Sequence, residues 1–386
     1  MQTFHQAPPL SLYIHLPWCL KKCPYCDFNS HEVPASGFEE KLYINALIND
    51  LKFELNRIEG RKIVSIFFGG GTPSLFLPES IEQLLNSIQA QLNFDLDIEI
   101  TLEANPGAVE AKKFHEYKAM GINRLSLGIQ SFNDQSLTLL GRIHNANEAK
   151  KAIELSREAG FENFNLDLMF GLPNQKIDDV LTDLKQAVDY SPTHISWYQL
   201  TIEPNTIFGS KPPKLPSDDV IWSMQEKGQV FLKKNDFEQY EVSAYAKDNY
   251  RSIHNINYWQ FGDYLGIGAG SHGKITSIIN SQIERYVRHK IPARYIELVD
   301  LKNSITEKKV LETKEVPLEF MMNALRLTDG VTENLFFERT GLPIKTIEKE
   351  LMIAKNRNLL DYHNKRIKPS FRGHRYLNDL LHVFMK

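Results

Sequence analysis

Two hydrophobic rhythms alternate along the first two thirds of the chain. Short runs rich in β-branched and aromatic residues stand at "SLYIHL" (11–16), "IVSIFFG" (63–69), "DIEITLE" (97–103), "RLSLGI" (124–129), "NFNLDLM" (163–169) and "HISWYQL" (194–200). Bounded as they are by turn residues, they predict six strands. Between them lie longer stretches such as "GFEEKLYINALINDLKFEL", "SIEQLLNSIQAQL", "NEAKKAIELSREAG" and "IDDVLTDLKQAVDY". Their apolar residues recur at three- and four-residue spacing, which predicts amphipathic helices. A repeated strand–helix unit demands parallel strands with helices outside. Six such units of roughly thirty to forty residues suit an α/β fold, a partial (β/α)6 TIM-like barrel, better than a closed eightfold one.

In barrels of this kind function sits at the C-terminal ends of the strands. Each predicted strand ends in something chemically unusual: a cysteine loop, "GGGTPS", "EANPG", "GIQSF", "DLMFGLP" and "QLTIEPNT" in turn. Past residue 235 the pattern changes to short strands and a glycine-rich segment, "NYWQFGDYLGIGAGSHG". From about residue 316 it reads as three helices and a hairpin, a small winged-helix-like module. The expected organisation is a barrel over 1–235, an extension and connecting segment over 236–315, and a mainly helical C-terminal domain over 316–386.

Composition excludes little beyond the extremes. A chain of 386 residues with 42% hydrophobic and 24% charged residues is neither disordered nor fibrous. With 48 acidic against 45 basic residues, net charge offers no global attraction to nucleic acid or an anionic membrane. The N-terminus lacks a basic segment followed by an apolar run, and no long apolar stretch occurs, so a cytoplasmic protein is expected.

All three cysteines fall in "HLPWCLKKCPYCDFNS" (15–30): Cys19, Cys23 and Cys26, spaced C-x3-C-x2-C. Thiols so crowded and odd in number cannot form a disulfide framework, which implies a reducing compartment. Three thiolates can hold three irons of a cubane cluster and leave the fourth iron open, whereas a structural cluster or zinc normally takes four ligands. The zinc alternative borrows His15 or His31 as its fourth.

With Tyr25 before the last cysteine, this motif resembles the signature of the radical S-adenosylmethionine (SAM) superfamily. The resemblance implies a [4Fe-4S] cluster on Cys19, Cys23 and Cys26, whose open iron chelates SAM and whose electron cleaves the sulfonium to a 5'-deoxyadenosyl radical. "GGGTP", with Gly69, Gly70, Gly71 and Thr72 ahead of Pro73, resembles that superfamily's motif for the methionine amine. Residues without a Cβ let carbonyls approach an ammonium closely, though the same pattern also makes a tight turn. Resemblance to the coproporphyrinogen-oxidase-like branch implies that Glu103 and Arg142 contact the methionine part of SAM and that Gln130 and Asp167 bind its ribose. Such pairings are chemically sound, and a structural salt bridge or cap is the plainer reading of each. Tyr13 packs either on SAM and the cluster or in the barrel core.

"HLPWC", "GGGTPS", "EANPG", "GIQSF", "GRIHN", "DLMFGLP" and "GIGAGSHG" follow one another in that branch's order, so the resemblance covers nearly the whole chain. Two members compete. Oxygen-independent coproporphyrinogen III oxidases carry a fourth cysteine two positions after the third and a long N-terminal extension. Here that position is Phe28, and only residues 1–10 precede the first strand; both departures disfavour oxidase activity. The HemW-type haem chaperones instead carry H-N-x-x-Y-W, matched by "HNINYW" with His254, Asn255, Tyr258 and Trp259. This resemblance implies His254 as axial ligand to haem iron, with Tyr258 and Trp259 packing on the porphyrin; a satisfied core histidine is the alternative.

The expected function is therefore haem binding and transfer to acceptor haemoproteins, dependent on cluster, SAM and an electron donor. Its rival is oxidative decarboxylation of coproporphyrinogen III. A zinc-stabilised winged-helix regulator is a third class. From Lys355 to Arg375 seven Lys or Arg oppose the single acid Asp361, a bias that winged-helix modules can turn to nucleic acid. Without interleaved aromatics it reads as a solvated face, and it suits an acidic protein or a membrane surface equally well; a homodimer is a separate candidate partner.

Overall fold

A computed structural model describes residues 2–385. All six expected strands form, as β1 (Leu10–Leu16), β2 (Ile63–Gly70), β3 (Phe94–Ala104), β4 (Arg124–Gln130), β5 (Phe164–Phe170) and β6 (His194–Gln199). Each pairs in parallel with the next. Helices α1 (Glu40–Glu54), α2 (Pro78–Gln91), α3 (Phe114–Ala119), α4 (Ala146–Glu158) and α5 (Ile177–Asp189) make the crossovers. Local chemistry starts several of them: proline opens α2, and Asn145 with Glu148 forms a reciprocal capping box on α4, each satisfying or sparing N–H groups that have no partner in the helix.

Burial drives the layering. Leu47 and Leu51 of α1, Leu84 and Ile88 of α2 and Leu184 of α5 share one core with Leu12, Ile66, Phe68, Leu102 and Leu127 of the strands. The alternate strand residues turn the other way and are polar: Ser11 and His15, Ser65, Glu99 and Glu103, Ser126, Asn165 and Asp167, His194 and Ser196. A barrel with an apolar outside and a polar lumen follows from the period of two.

The sheet does not stop at six strands. After α6 (Asp218–Lys234), β7 (Glu238–Gln239) and β8 (Ala244–Ala246) fold antiparallel onto β6. At the other edge β9 (Asp263–Ile267) joins β1 in parallel, followed by antiparallel β10 (His272–Ser277), β11 (Gln282–Arg288) and β12 (Ile305–Val310). The full order is β12-β11-β10-β9-β1-β2-β3-β4-β5-β6-β8-β7. Residues 238–310 are thus continuous with the barrel's sheet, a relation that their short, glycine-broken strands concealed. Between β8 and β9, α7 (Ile253–Trp259) closes the N-terminal end of the lumen.

The C-terminal module has the expected three helices, α8 (Val316–Ala324), α9 (Glu333–Thr340) and α10 (Glu348–Asn356), and a hairpin of 360–363 with 366–369. Its core of Phe320, Phe336, Leu351 and Ile367 also takes in Phe4 and Phe261, so it is sewn to both the N-terminal segment and the end of α7. Several of its cations are engaged locally: Arg375 pairs with Glu226 at 3.0 Å and lies over Trp222, and Arg366 donates to the Asp329 carbonyl at 2.6 Å. Among the described residues no helix is long and apolar enough to cross a membrane.

Candidate functional site

The C-terminal ends of the strands surround a cavity of about 400 Å3. Cys19, Cys23 and Cys26 line it together with Gly70, Gly71, Thr72, Glu103, Gln130, Arg142 and Asp167. These residues come from six segments spread over 149 positions of sequence, from 19 to 167, and the barrel alone brings them together. Tyr13 and Gly69 lie just beneath, in the lumen: the Tyr13 hydroxyl is 3.0 Å from His15 Nδ1, and its ring stacks on Phe67. Tyr13 is therefore a lumen residue directly beneath the cavity.

Glycine is required where the β2 end meets the cysteine loop. Gly70 has φ +115°, and a Cβ there would stand 2.5 Å from the His15 ring; one on Gly71 would stand 2.5 Å from the Trp18 carbonyl oxygen. Only a residue without a side chain permits that approach. His15 is a pin for the loop, since its Nε2 is 2.8 Å from the Asn29 carbonyl oxygen and burial lowers its pKa to about 4. His31 is likewise turned away, its Nε2 3.2 Å from the Lys290 carbonyl.

These contacts tie up Nε2 of both histidines that the zinc alternative would borrow, each at a backbone carbonyl. Thiolates on a single zinc would stand about 3.8 Å apart. A cubane cluster presents a separate iron to each cysteine and suits three thiols spread around one wall. Burial pushes the Cys19 and Cys26 thiols up, so iron binding there displaces protons.

Charge is placed beside those thiols with care. Arg142 Nη1 lies 3.6 Å from Cys23 Sγ, and its Nη2 donates to Asn105 Oδ1 at 2.8 Å and to the Gly128 carbonyl at 2.9 Å. Its Nε is buried with no partner. Burial, reinforced by the charge of Asp167, raises Glu103 to about 8, and the Gly70 N–H donates to it at 3.3 Å. A carboxyl that is neutral at pH 7 in this setting would ionise beside a bound ammonium. Asp167 is raised by burial as well and is held by Asn165 Nδ2 at 2.8 Å and Ser126 Oγ at 3.3 Å.

Gln130 sits at a break in register between β4 and β5 with φ +67°. A long side chain in that region is strained by about 1–3 kcal/mol, a cost typical of functional positions. Tyr198 donates to its Oε1 at 2.7 Å. Tyr198 and Asn105 are among the residues that the sequence motifs did not single out. Asn105 links Arg142 to Thr72, donating to Thr72 Oγ1 at 3.0 Å. Both stand in or beside segments already marked as unusual, "EANPG" and "QLTIEPNT"; their position at a strand end was the available signal.

His254, Tyr258 and Trp259 do not join this cavity, nor do they form an open face for a porphyrin. His254 is 9% exposed, its Nδ1 is 2.9 Å from Ser65 Oγ and its ring packs on Phe67. Ser65 lies four residues before Gly69, about 13 Å along an extended strand. Tyr258 packs on Tyr264, and Trp259 lies under the Arg326 guanidinium against the C-terminal core. The motif is thus built into the barrel floor, because Glu99 accepts the Ile253 and His254 N–H groups, each at 3.0 Å, and the Ser252 hydroxyl at 3.2 Å, fixing the start of α7. At the mouth, Phe28 is 65% exposed on the rim of the cavity.

An open parallel barrel with a C-x3-C-x2-C loop seated on a glycine-rich strand end defines the radical SAM class, and residues 13–187 match the radical SAM superfamily. Residues 311–375 match the HemN C-terminal domain. Haem chaperone HemW of Haemophilus influenzae is 49% identical over 384 residues, covering 98% of this chain and 99% of that protein. HemW of Escherichia coli is 45% identical over 388 residues with the same coverage. The solved structure of Escherichia coli coproporphyrinogen III oxidase, HemN, a radical SAM enzyme, shares the fold with a TM-score of 0.82 over 98% of this chain and 90% of that one, at 22% identity. The chain belongs to the HemW family, in the HemN-like branch of the radical SAM superfamily.

Proposed function

We propose that this protein is a haem chaperone, which binds haem and passes it to acceptor haemoproteins in the cytoplasm. One observation carries the reading: two proteins named haem chaperone HemW match it at 49% and 45% identity from end to end. The absence of a fourth cysteine at Phe28 favours it over the oxidase.

The cavity suits the superfamily's cofactors. Cys19, Cys23 and Cys26 would hold the cluster; Gly70, Gly71 and Glu103 would receive an ammonium, Arg142 a carboxylate, and Gln130 and Asp167 a ribose diol. When bound, a cluster with an open iron supplies an electron to the sulfonium of SAM. What the chain itself contributes is a partly enclosed site, a neutral Glu103 ready to lose its proton, and a guanidinium beside Cys23 that steadies negative charge.

For haem, His254 is the candidate iron ligand within the family motif. Followed from donor to acceptor, the Ser65 hydroxyl donates to Ser11 at 2.7 Å, so Ser65 accepts from His254 Nδ1–H and the Nε2 lone pair stays available to a metal. Since α7 shuts His254 into the floor, ligation requires that helix to open.

The test is anaerobic, on protein reconstituted with iron, sulfide and SAM. Supplied with haem, it should bind one equivalent and release it to an apo-haemoprotein, with uptake reduced in His254→Ala. Supplied with coproporphyrinogen III and reductant, it should yield no decarboxylated product by mass; turnover there would restore the oxidase.

A further inference from the structure

The two ends of α7 are held to the barrel in different ways. Its first turn hangs on a single carboxylate. Glu99 Oε1 accepts the Ser252 hydroxyl at 3.2 Å and the His254 N–H at 3.0 Å, while Oε2 accepts the Ile253 N–H at 3.0 Å. Glu99 is 5% exposed and comes from β3, 153 positions before Ser252. The Arg124 guanidinium lies 3.8 Å from it, so the buried negative charge is balanced inside the barrel. Hydrogen bonds to an ionised acceptor are roughly twice as strong as neutral ones. Ser65 and Ser11, which meet His254 and Asn257 of the same helix, supply only the neutral kind.

The other end is held by packing. Trp259 lies 4.3 Å beneath the Arg326 guanidinium and packs with Ile256 on the C-terminal core, which also contains Phe261. Phe261 has φ +57°, so the chain turns there directly after the helix. On the N-terminal side, residues 248–251 are all exposed, and the ion pair of Arg251 with Asp329, at 2.9 Å, stands in solvent too. Local opening follows the weaker anchorage. A helix packed at one end and tied by one carboxylate at the other therefore opens from the carboxylate end, and His254 sits in that first turn.

We propose that Glu99 is the positioning residue for His254: its carboxylate holds the first turn of α7 shut, and release of that turn, pivoting on Trp259 and Phe261, presents the imidazole to haem. The inference rests on the haem-chaperone reading with His254 as the iron ligand. It names the contact that sets how much of the protein is competent to bind. A ligand that binds only the open form is taken up in proportion to the open fraction, so loosening the hold of Glu99 speeds haem uptake.

The experiment uses full-length protein reconstituted with iron and sulfide and takes two separate readings: hydrogen exchange along residues 250–262 without haem, and the rate of haem uptake on rapid mixing. In Glu99→Gln one acceptor oxygen becomes a donor facing the α7 N–H groups. Exchange at Ile253 and His254 should rise about tenfold or more, and haem uptake should accelerate by the same factor, while residues 257–260 keep their protection. Ser252→Ala, which removes one of the three bonds, should act in the same direction to a lesser degree and serves if the glutamine variant is unstable. Arg251→Ala, at the exposed ion pair, should leave both readings at the wild-type value. A carboxylate that only stabilised the fold would lower the melting temperature without moving the two rates together. Unchanged exchange at Ile253 and His254 in Glu99→Gln, or faster exchange without faster uptake, would overturn the role of Glu99 and leave the chaperone reading standing. Uptake in His254→Ala equal to wild type would remove His254 from haem binding and this role with it. Failure of the unaltered protein to take up haem at all would overturn the chaperone reading as well.

Discussion

The two ends of one lumen are built from the same strands and behave in opposite ways. At the mouth, polar groups are left wanting: Arg142 keeps an unpartnered buried nitrogen, Glu103 is held neutral, and Gln130 is strained. At the floor, Asp263 takes Lys274 Nζ and Arg61 Nη1, each at 2.7 Å, together with the Thr276 N–H and hydroxyl at 2.8 Å. Burial acts to raise its pKa, yet Lys274 and Arg61 outweigh it and hold the carboxyl below its ordinary value. Glu99 and His254 are engaged in the same manner. At the mouth these groups surround a cavity; at the floor Asp263, Glu99 and His254 tie α7 and the sheet together.

The largest test of that contrast is Cys23→Ala. It should abolish cluster assembly outright, read as loss of bound iron and sulfide, while the melting temperature of the cluster-free protein stays put, because the mouth contributes little to stability. A variant that keeps its iron would break the assignment.

At the floor the effects should reverse. Asp263→Asn strands two buried cations, and the loss of a buried pair costs about 3–5 kcal/mol. Denaturant unfolding should show this, with SAM affinity per folded molecule unchanged. A loss below about 1 kcal/mol would mean that hydrophobic packing, not the ion pairs, closes the floor.

A smaller effect sharpens the picture of the mouth. Glu103 is protonated near neutrality, and a bound ammonium favours its ionised form, so SAM binding should release a proton and tighten as pH rises from about 6 to 7.5. Calorimetry in buffers of different ionisation enthalpy measures that proton. In Glu103→Gln the release and the pH slope should vanish and affinity should fall about tenfold. Equal proton release in the variant would assign it elsewhere.

Confined to acid and absent near neutrality is the effect of His254. Burial, then the charge of Arg124, lowers it to about 3, whereas an unfolded histidine titrates near 6.5. The folded state binds the proton less readily, so its stabilising share is whole above about pH 6.5 and is lost as pH falls toward 3. His254→Gln should therefore flatten the decline in melting temperature between about pH 6.5 and 4 while changing little at pH 8. An unchanged acid limb would show that other groups, such as buried His194, carry it.

What could be read from residues alone was local or periodic. The six strands announced themselves by composition, and the cysteine spacing and "GGGTP" by chemistry that allows few alternatives. Tyr198 and Asn105 escaped because a hydroxyl and an amide have many uses, and only Gln130 and Arg142 beside them give these ones a role. The later strands escaped because each is short and its pairing partner is remote.

The sequence by itself determined the class: three thiols in one loop, a strand end that tolerates only glycine, and a strand–helix repeat that forces function to the C-terminal ends. Tertiary structure alone decided which polar residues meet. His254 reaches Ser65 across 189 positions, and Arg61 reaches Asp263 across 202. The physical reason is that a side chain's protonation, exposure and partners depend on neighbours supplied by other strands. The same histidine that reads as a ligand in a motif therefore becomes a neutral, hydrogen-bonded wedge once α7 packs beneath the barrel.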